Sequence, residues 1–274
     1  MENNKKYALI TGATSGIGYE LAKLFAQNNY DLVLVARNHE RLTEIAEEFH
    51  QQHQADVVPL AKDLFGSESA KEVYEEVQRR GIQINVLVND AGQGQFGEFA
   101  ETDLNREYDI IHLNILTPVT LTKFFLQDMV ARKEGKILNV GSIAGETPGP
   151  LNSIYHGTKA FINSWSEAIR SEVKDKGVTV TLLLPGVTAT DFANKADGEN
   201  SGLFKYMDNL DAAKVAKDGY NALMAGDDKI VSGLKYKAMV AMAHITPDHI
   251  VAEGMHKLQS PVNKDEQTNK KNEK

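Results

Sequence analysis

The run Tyr7-Ala8-Leu9-Ile10-Thr11-Gly12-Ala13-Thr14-Ser15-Gly16-Ile17-Gly18 restricts the fold more than any other part of the chain. Tyr7 to Thr11 is short and apolar, as a strand buried on both faces of a parallel sheet must be. The glycines follow without a break, and Leu21, Leu24 and Phe25 then recur at helical spacing. Strand, glycine-rich turn and helix start in direct succession make a βα unit, and a parallel partner strand must come after it. At such a turn the free amides of the first helical residues and the positive end of the helix dipole face outward, which suits a bound phosphate. Gly12, Thr14, Ser15, Gly16, Ile17 and Gly18 are therefore candidates to cradle one, with spacing G-x-x-x-G-x-G.

The second strand, Asp31 to Val35, ends in Ala36-Arg37-Asn38. A dinucleotide held by the glycines would rest its adenosine ribose here. An NAD site wants a carboxylate to accept from the 2′-hydroxyl, and none stands between Asp31 and Glu40. Arg37 stands there instead, with a planar guanidinium that suits a 2′-phosphate, so the expected cofactor is NADP(H). Strand three is read at Asp56 to Leu60, with Asp63 and Leu64 just past its end, where an adenine ring could be contacted. Strand four, Ile84 to Val88, runs into Asn89-Asp90-Ala91-Gly92 and the flexible Gln93-Gly94-Gln95. Glu101 to Arg132 is mostly helical and should bend at Pro118. Strand five is Lys136 to Val140, strand six Val178 to Leu184, and Lys229 to Val231 a last strand.

Strand and helix thus alternate throughout. The expected fold is α/β, a doubly wound parallel sheet (Rossmann fold) of about seven strands with helices on both faces. One domain spans residues 1–232 and includes a lid at about 187–210, rich in Asn, Asp and Gly yet carrying Phe192, Leu203, Phe204 and Met207. Residues 233–259 form a helical extension packed on it, broken at Thr246-Pro247, with Met239, Met242 and Met255 expected to pack in the core or against another subunit. Residues 260–274 read as a disordered polar tail.

Composition narrows the function classes. The net charge of −8, with acids and bases interspersed, argues against nucleic acid as a partner. The chain has no cysteine, which removes disulfides and thiolate chemistry, and its eight His show no metal-binding spacing. No apolar run is long enough for a membrane span and no signal-peptide pattern precedes the first strand, so a cytoplasmic location is expected.

The remaining chemistry lies between Ser142 and Lys159. Tyr155 and Lys159 are four apart and leave one helix face together. An ammonium within about 4–6 Å favours the phenolate and can lower a phenol by roughly 1–3 units from its value near 10. Tyr155 then becomes a usable general acid and base. Asn114 sits among Ile111, Leu113, Ile115 and Leu116, the surroundings of a buried, hydrogen-bonded Asn.

These residues resemble the short-chain dehydrogenase/reductase family over roughly residues 5–232. The resemblance rests on Thr11-Gly12-x3-Gly16-Ile17-Gly18, Asn89-Asp90-Ala91-Gly92, Asn114, Ser142, Tyr155-x3-Lys159 and Pro185-Gly186, in order. It implies a NADP-preferring oxidoreductase acting on CH–OH groups, with Asn114, Ser142, Tyr155 and Lys159 as a catalytic tetrad and Asn114 holding a proton-relaying water. It implies that Asn89 to Gly92, with Asn89, Ala91 and Gly92 as cofactor contacts, support sheet and cofactor, that Pro185, Gly186 and Val187 also bind the cofactor, and that Thr188 and Thr190 approach its nicotinamide side. Gln93, Phe96, Ile143, Phe192 and Met207 are the expected pocket for a small-molecule carbonyl or alcohol. A homodimer or homotetramer is suggested by the family and by the apolar helices 104–131 and 155–173, and a non-catalytic NADP-binding sensor or scaffold is the alternative reading. Two residues depart from the family pattern: Asp90 stands where Asn is usual, and His156 where a small residue is usual.

Overall fold

The computed structural model describes residues 5–262. Seven strands lie parallel in the order β3-β2-β1-β4-β5-β6-β7. They are β1 (Lys6–Thr11), β2 (Tyr30–Ala36), β3 (Val57–Ala61), β4 (Ile84–Asn89), β5 (Gly135–Val140), β6 (Val178–Leu184) and β7 (Lys229–Val231). Helices α1 (Gly16–Gln27), α2 (His39–His53) and α9 (Ala212–Ala225) cover one face. Helices α3 (Ser69–Arg79), α4 (Leu104–Ile111), α5 (Thr117–Arg132) and α6 (Ser153–Val173) belong to the other side of the sheet.

Coverage on both faces explains why the strands read as unbroken apolar runs. Leu9 and Ile10, neighbours in sequence, point to opposite faces and are both fully buried in separate cores. On the first face Phe25 meets Tyr30 and Tyr220 edge-on, at 5.2 and 5.0 Å between ring centres. On the second, Phe125 and Met129 of α5 pack over Leu87 and Ile137. The strand order reverses between β1 and β4, so the connections leave in opposite directions and a crevice opens at the C-terminal edge there.

The expected bend near Pro118 takes a specific form. A π-helical turn, His112–Leu116, separates α4 from α5, and the Thr117 amide reaches back five residues to the His112 carbonyl. Pro118 stands in the first turn of α5, where its missing N–H is tolerated, and it has no donor to return to the Asn114 carbonyl. The irregularity therefore falls on Asn114 itself, as π-turns at functional sites often do.

After β6 the chain forms the short helices α7 (Phe192–Lys195) and α8 (Gly202–Tyr206) within the expected lid. After β7 come α10 (Leu234–Ala243) and α11 (Asp248–Gln259), split at Thr246-Pro247 as the sequence predicts. The tail boundary needs correction: Ser201 and Pro261 pair as an antiparallel bridge, and the Val262 amide donates to Asn200 at 2.9 Å, so Ser260 to Val262 are part of the fold. The rest of the expected tail lies outside the described residues. Among the described residues no helix is long and apolar enough to cross a membrane.

Candidate active site

A cleft of about 1130 Å³ runs along the C-terminal edge of the sheet. One end is built on the glycine turn. Gly12 has φ +73°, a conformation costly for any residue with a side chain, and its amide donates to the Val35 carbonyl at 3.0 Å. A Cβ there would press on the Ala91 backbone at 3.1 Å. The loop is tied to the β4 end by Thr11, whose hydroxyl accepts from the Asp90 and Ala91 amides, both at 3.1 Å. Gly12, Thr14, Ser15, Gly16 and Ile17 line the cleft, whereas Gly18 lies beneath it, packed on the Gly12 carbonyl and the Asp90 carboxylate. This bare cradle at the start of α1 fits the phosphates of a dinucleotide.

Further along, Arg37 stands over the Phe65 ring at 5.5 Å, and Asn38, Asp63 and Leu64 share its wall. The Asn38 side chain caps α2 by accepting from the Arg41 amide at 3.0 Å. Ala91 and Gly92 line the cleft, but Asn89 does not. Its amide donates to Thr122 at 3.0 Å and Asn139 at 2.8 Å, which places Asn89 among the supports beneath the cleft. Pro185, Gly186, Val187, Thr188 and Thr190 form the opposite side at the end of β6.

Ser142, Tyr155 and Lys159 meet in the middle. β5 delivers Ser142, whose hydroxyl accepts from the Ala144 amide at 3.0 Å. The first turns of α6 deliver Tyr155 and Lys159. Lys159 Nζ donates to the Val140 carbonyl at 2.8 Å and lies 5.8 Å from the Tyr155 ring centre. Phe192 of the lid rests against Tyr155 at 4.9 Å. Gln93, Phe96, Ile143 and Met207 line the same end, so all five expected pocket residues face one cavity.

The electrostatics correct one expectation. Burial pushes the Tyr155 phenol up to about 12; a hydrogen bond with Ser142 opposes this and Asp90 adds to it. The expected lowering by Lys159 does not prevail over burial. Burial draws the Lys159 ammonium down, while the nearby Asp90 carboxylate favours its charge. Burial raises Asp90 in turn, against the Lys159 charge and a hydrogen bond from the Gly18 amide. Asp90 thus shares the Lys159 charge that the phenol would otherwise feel alone.

The Asn114 side chain is fully employed. Its amide donates to the Gln93 carbonyl at 2.8 Å and to the Thr158 hydroxyl at 2.9 Å, and its oxygen accepts from the Gln93 amide at 2.9 Å. It ties the β4 loop to α6 behind Tyr155 and does not line the main cleft. No group of three or more potential metal ligands occurs among the described residues.

Two features of the site escape the spacing of motifs. The first is α10 and α11: Met239, Met242, Val251, Met255 and Leu258 line the cleft, where the sequence pattern predicts core or subunit packing. Their alternation with small residues is equally at home in either setting, so composition carries no signal for the cleft. The second is His156, buried beside Tyr155, with Nδ1 3.0 Å from the Thr147 carbonyl. Burial lowers its imidazole, opposed by hydrogen bonds to the Thr147 and Ala144 backbone. The unfolded chain then takes up a proton at this position before the folded chain does. The stability from neutral His156 is therefore full above the ordinary value of about 6.5 and is lost as pH falls from there through the lowered folded value. Thermal melts between pH 8 and 5 should show a steeper fall for the wild type than for His156→Gln, and parallel curves would refute this role.

The short chain dehydrogenase family model matches residues 6–201. The chain is 34% identical over 181 residues to a very-long-chain 3-oxoacyl-CoA reductase of Aspergillus fumigatus, covering 65% of this chain and 52% of that protein. It spans 51–61% of the length of the curated relatives of that name it matches. Among solved structures, a short-chain dehydrogenase from Sphingobium yanoikuyae in complex with NADPH superposes with TM-score 0.79 at 27% identity, over 87% of this chain and 93% of that one. The bulky-bulky ketone specific alcohol dehydrogenase from Comamonas testosteroni gives TM-score 0.75 at 26% identity, over 88% and 93%.

Proposed function

The chain belongs to the short-chain dehydrogenase family, and from that premise we propose that it interconverts a ketone or aldehyde and its alcohol with NADP(H) as hydride carrier. The observation that carries the reading is the convergence of Ser142, Tyr155 and Lys159 on one wall of a cleft whose other end is the glycine cradle. The relatives named for 3-oxoacyl reduction and for bulky ketones support a carbonyl as the reacting group.

The nicotinamide, when bound, supplies or accepts the hydride. In reduction Ser142 donates a hydrogen bond to the carbonyl oxygen and fixes its place. Tyr155 gives that oxygen its proton, and in oxidation takes it back. The phenol carries its proton at neutral pH, the state reduction needs. Lys159, held on Val140, places positive charge beside the phenol and favours the anion left after transfer. The Asn114 side chain holds the Gln93 backbone and Thr158 in place and so supports the helix that carries Tyr155 from behind.

The preference for NADP(H) is supported by the cations at the end of β2. Arg37, Arg41 and Lys62 line that part of the cleft. Calorimetric titration should show NADPH binding more tightly than NADH. Arg37→Ala should weaken NADPH roughly tenfold or more while moving NADH little, since hydrogen bonds to charged groups are worth about 1.5–3 kcal/mol. Equal affinities in the wild type would overturn the assignment.

A further inference from the structure

The C-terminal helices are fastened to the catalytic helix from inside. Gln259, the last residue of α11, is 1% exposed, and its side-chain nitrogen lies 3.2 Å from His156 Nε2. The other ring nitrogen faces the Thr147 carbonyl, so the neutral ring donates from Nδ1 and accepts the Gln259 amide at Nε2. The Gln259 backbone carbonyl accepts from the Ser201 hydroxyl at 3.0 Å, and the Gly202 amide donates to the Ser260 carbonyl at 3.1 Å. One residue therefore joins three elements: the helix bearing Tyr155, the end of α11 and the lid helix α8. The ring fits only because position 149 is glycine, where any Cβ would collide with it. A weaker tie at the rim joins His244, after α10, to Glu146 at 2.9 Å.

The helices held this way face the cleft with Ala238, Met239, Val251, Met255 and Leu258. The cations on this wall are already paired, Lys195 with Asp191 at 3.2 Å and Lys235 with Asp208 at 2.9 Å. Among the described residues, that leaves an apolar channel with no free charge on this wall to seize a carboxylate or phosphate. Flexible thioethers line it, and these can repack along an apolar chain of variable length and shape. Met242 lines the cleft and is 59% exposed, which marks an open mouth at the α10 end.

We propose that His156 and Gln259 form a latch that holds α10 and α11 over the reaction end of the cleft, and that the substrate is a carbonyl compound bearing a long flexible aliphatic chain laid against those two helices. The inference rests on the cleft being the hydride-transfer site. His156 acts through Gln259 and is a positioning residue; the helices it holds determine specificity.

The test compares steady-state NADPH oxidation with butanone, dodecan-2-one and a polycyclic ketone, in the wild type, His156→Ala and Gln259→Leu. The wild type should favour dodecan-2-one over butanone in kcat/KM by at least about tenfold, since each added methylene in an apolar pocket is worth a measurable gain. Both variants should bring that ratio down several-fold by raising KM for dodecan-2-one, with a smaller change for butanone. A general loss of structure would lower both substrates together and leave the ratio unchanged. If His156→Ala does not fold, Gln259→Leu, which alters only the end of the last helix, decides alone. An unchanged ratio in folded variants overturns the latch, and a wild-type preference for the polycyclic ketone overturns the flexible chain. Absence of turnover on every carbonyl overturns the hydride-transfer reading itself, a result distinct from turnover without length dependence.

Discussion

Tyr155→Phe is expected to lower kcat for carbonyl reduction by about 10²–10⁴, the usual contribution of a positioned general acid. The substitution removes one hydroxyl and keeps the ring that packs against Phe192, so the fold should survive. NADPH affinity should change far less than turnover, because the cradle around Gly12 is untouched. The pH dependence offers a second readout. With the phenol pushed up to about 12 by burial, Tyr155 is protonated across the neutral range. Alcohol oxidation, which needs the phenolate, should therefore rise with pH more steeply than reduction, which uses the protonated phenol. Steady-state rates in both directions, with a cofactor titration of the variant, settle the matter. Near-wild-type turnover by Tyr155→Phe would end the assignment.

Lys159→Met should damage both rate and stability. The replacement is close in shape and removes the charge that faces Asp90 in a buried setting. Taking one partner from a buried pair of opposite charges costs about 3–5 kcal/mol, because the other is left uncompensated. The carboxyl can escape part of that cost by keeping a proton. Its value in the folded chain is already raised by burial, and the loss of Lys159 raises it further. The folded variant then holds a proton that the unfolded chain releases above about 3.9, so stability falls as pH rises from there toward the raised value. The deficit relative to wild type should be small near pH 5 and large near pH 8. Adding Asp90→Asn should flatten that slope and recover part of the stability, without restoring turnover. Denaturation curves at both pH values for the single and double variants would show this, and a deficit independent of pH would contradict it.

The parts of the site that the sequence announces are those whose chemistry is local. The glycine turn follows its strand directly, and Tyr155 and Lys159 share a helix face by spacing alone. Arg37 is found by the absence of an acid at a strand end. What the sequence leaves open depends on solvent and on distance along the chain. Spacing places Lys159 beside Tyr155 but says nothing of the water excluded around them, and that exclusion turns the expected fall of the phenol into a rise. It marks Asn114 as a satisfied buried amide without revealing that a π-helical turn carries it. The contact between His156 and Gln259 joins residues 103 positions apart, and no local pattern foretells it. The methionines of α10 and α11 pack against something apolar in any reading; only the folded chain shows that this something is the cleft.

The collision at position 149 also has a meaning for lineages. A ring at 156 requires a bare backbone at 149, since a methyl group there collides with the imidazole, and a small residue at 156 leaves a hollow and a stranded amide on Gln259. Descendants of this chain should therefore keep or abandon glycine, histidine and glutamine as a set. Where glycine, histidine and glutamine recur together at these places, the same fastening of α11 to the helix that bears Tyr155 is expected.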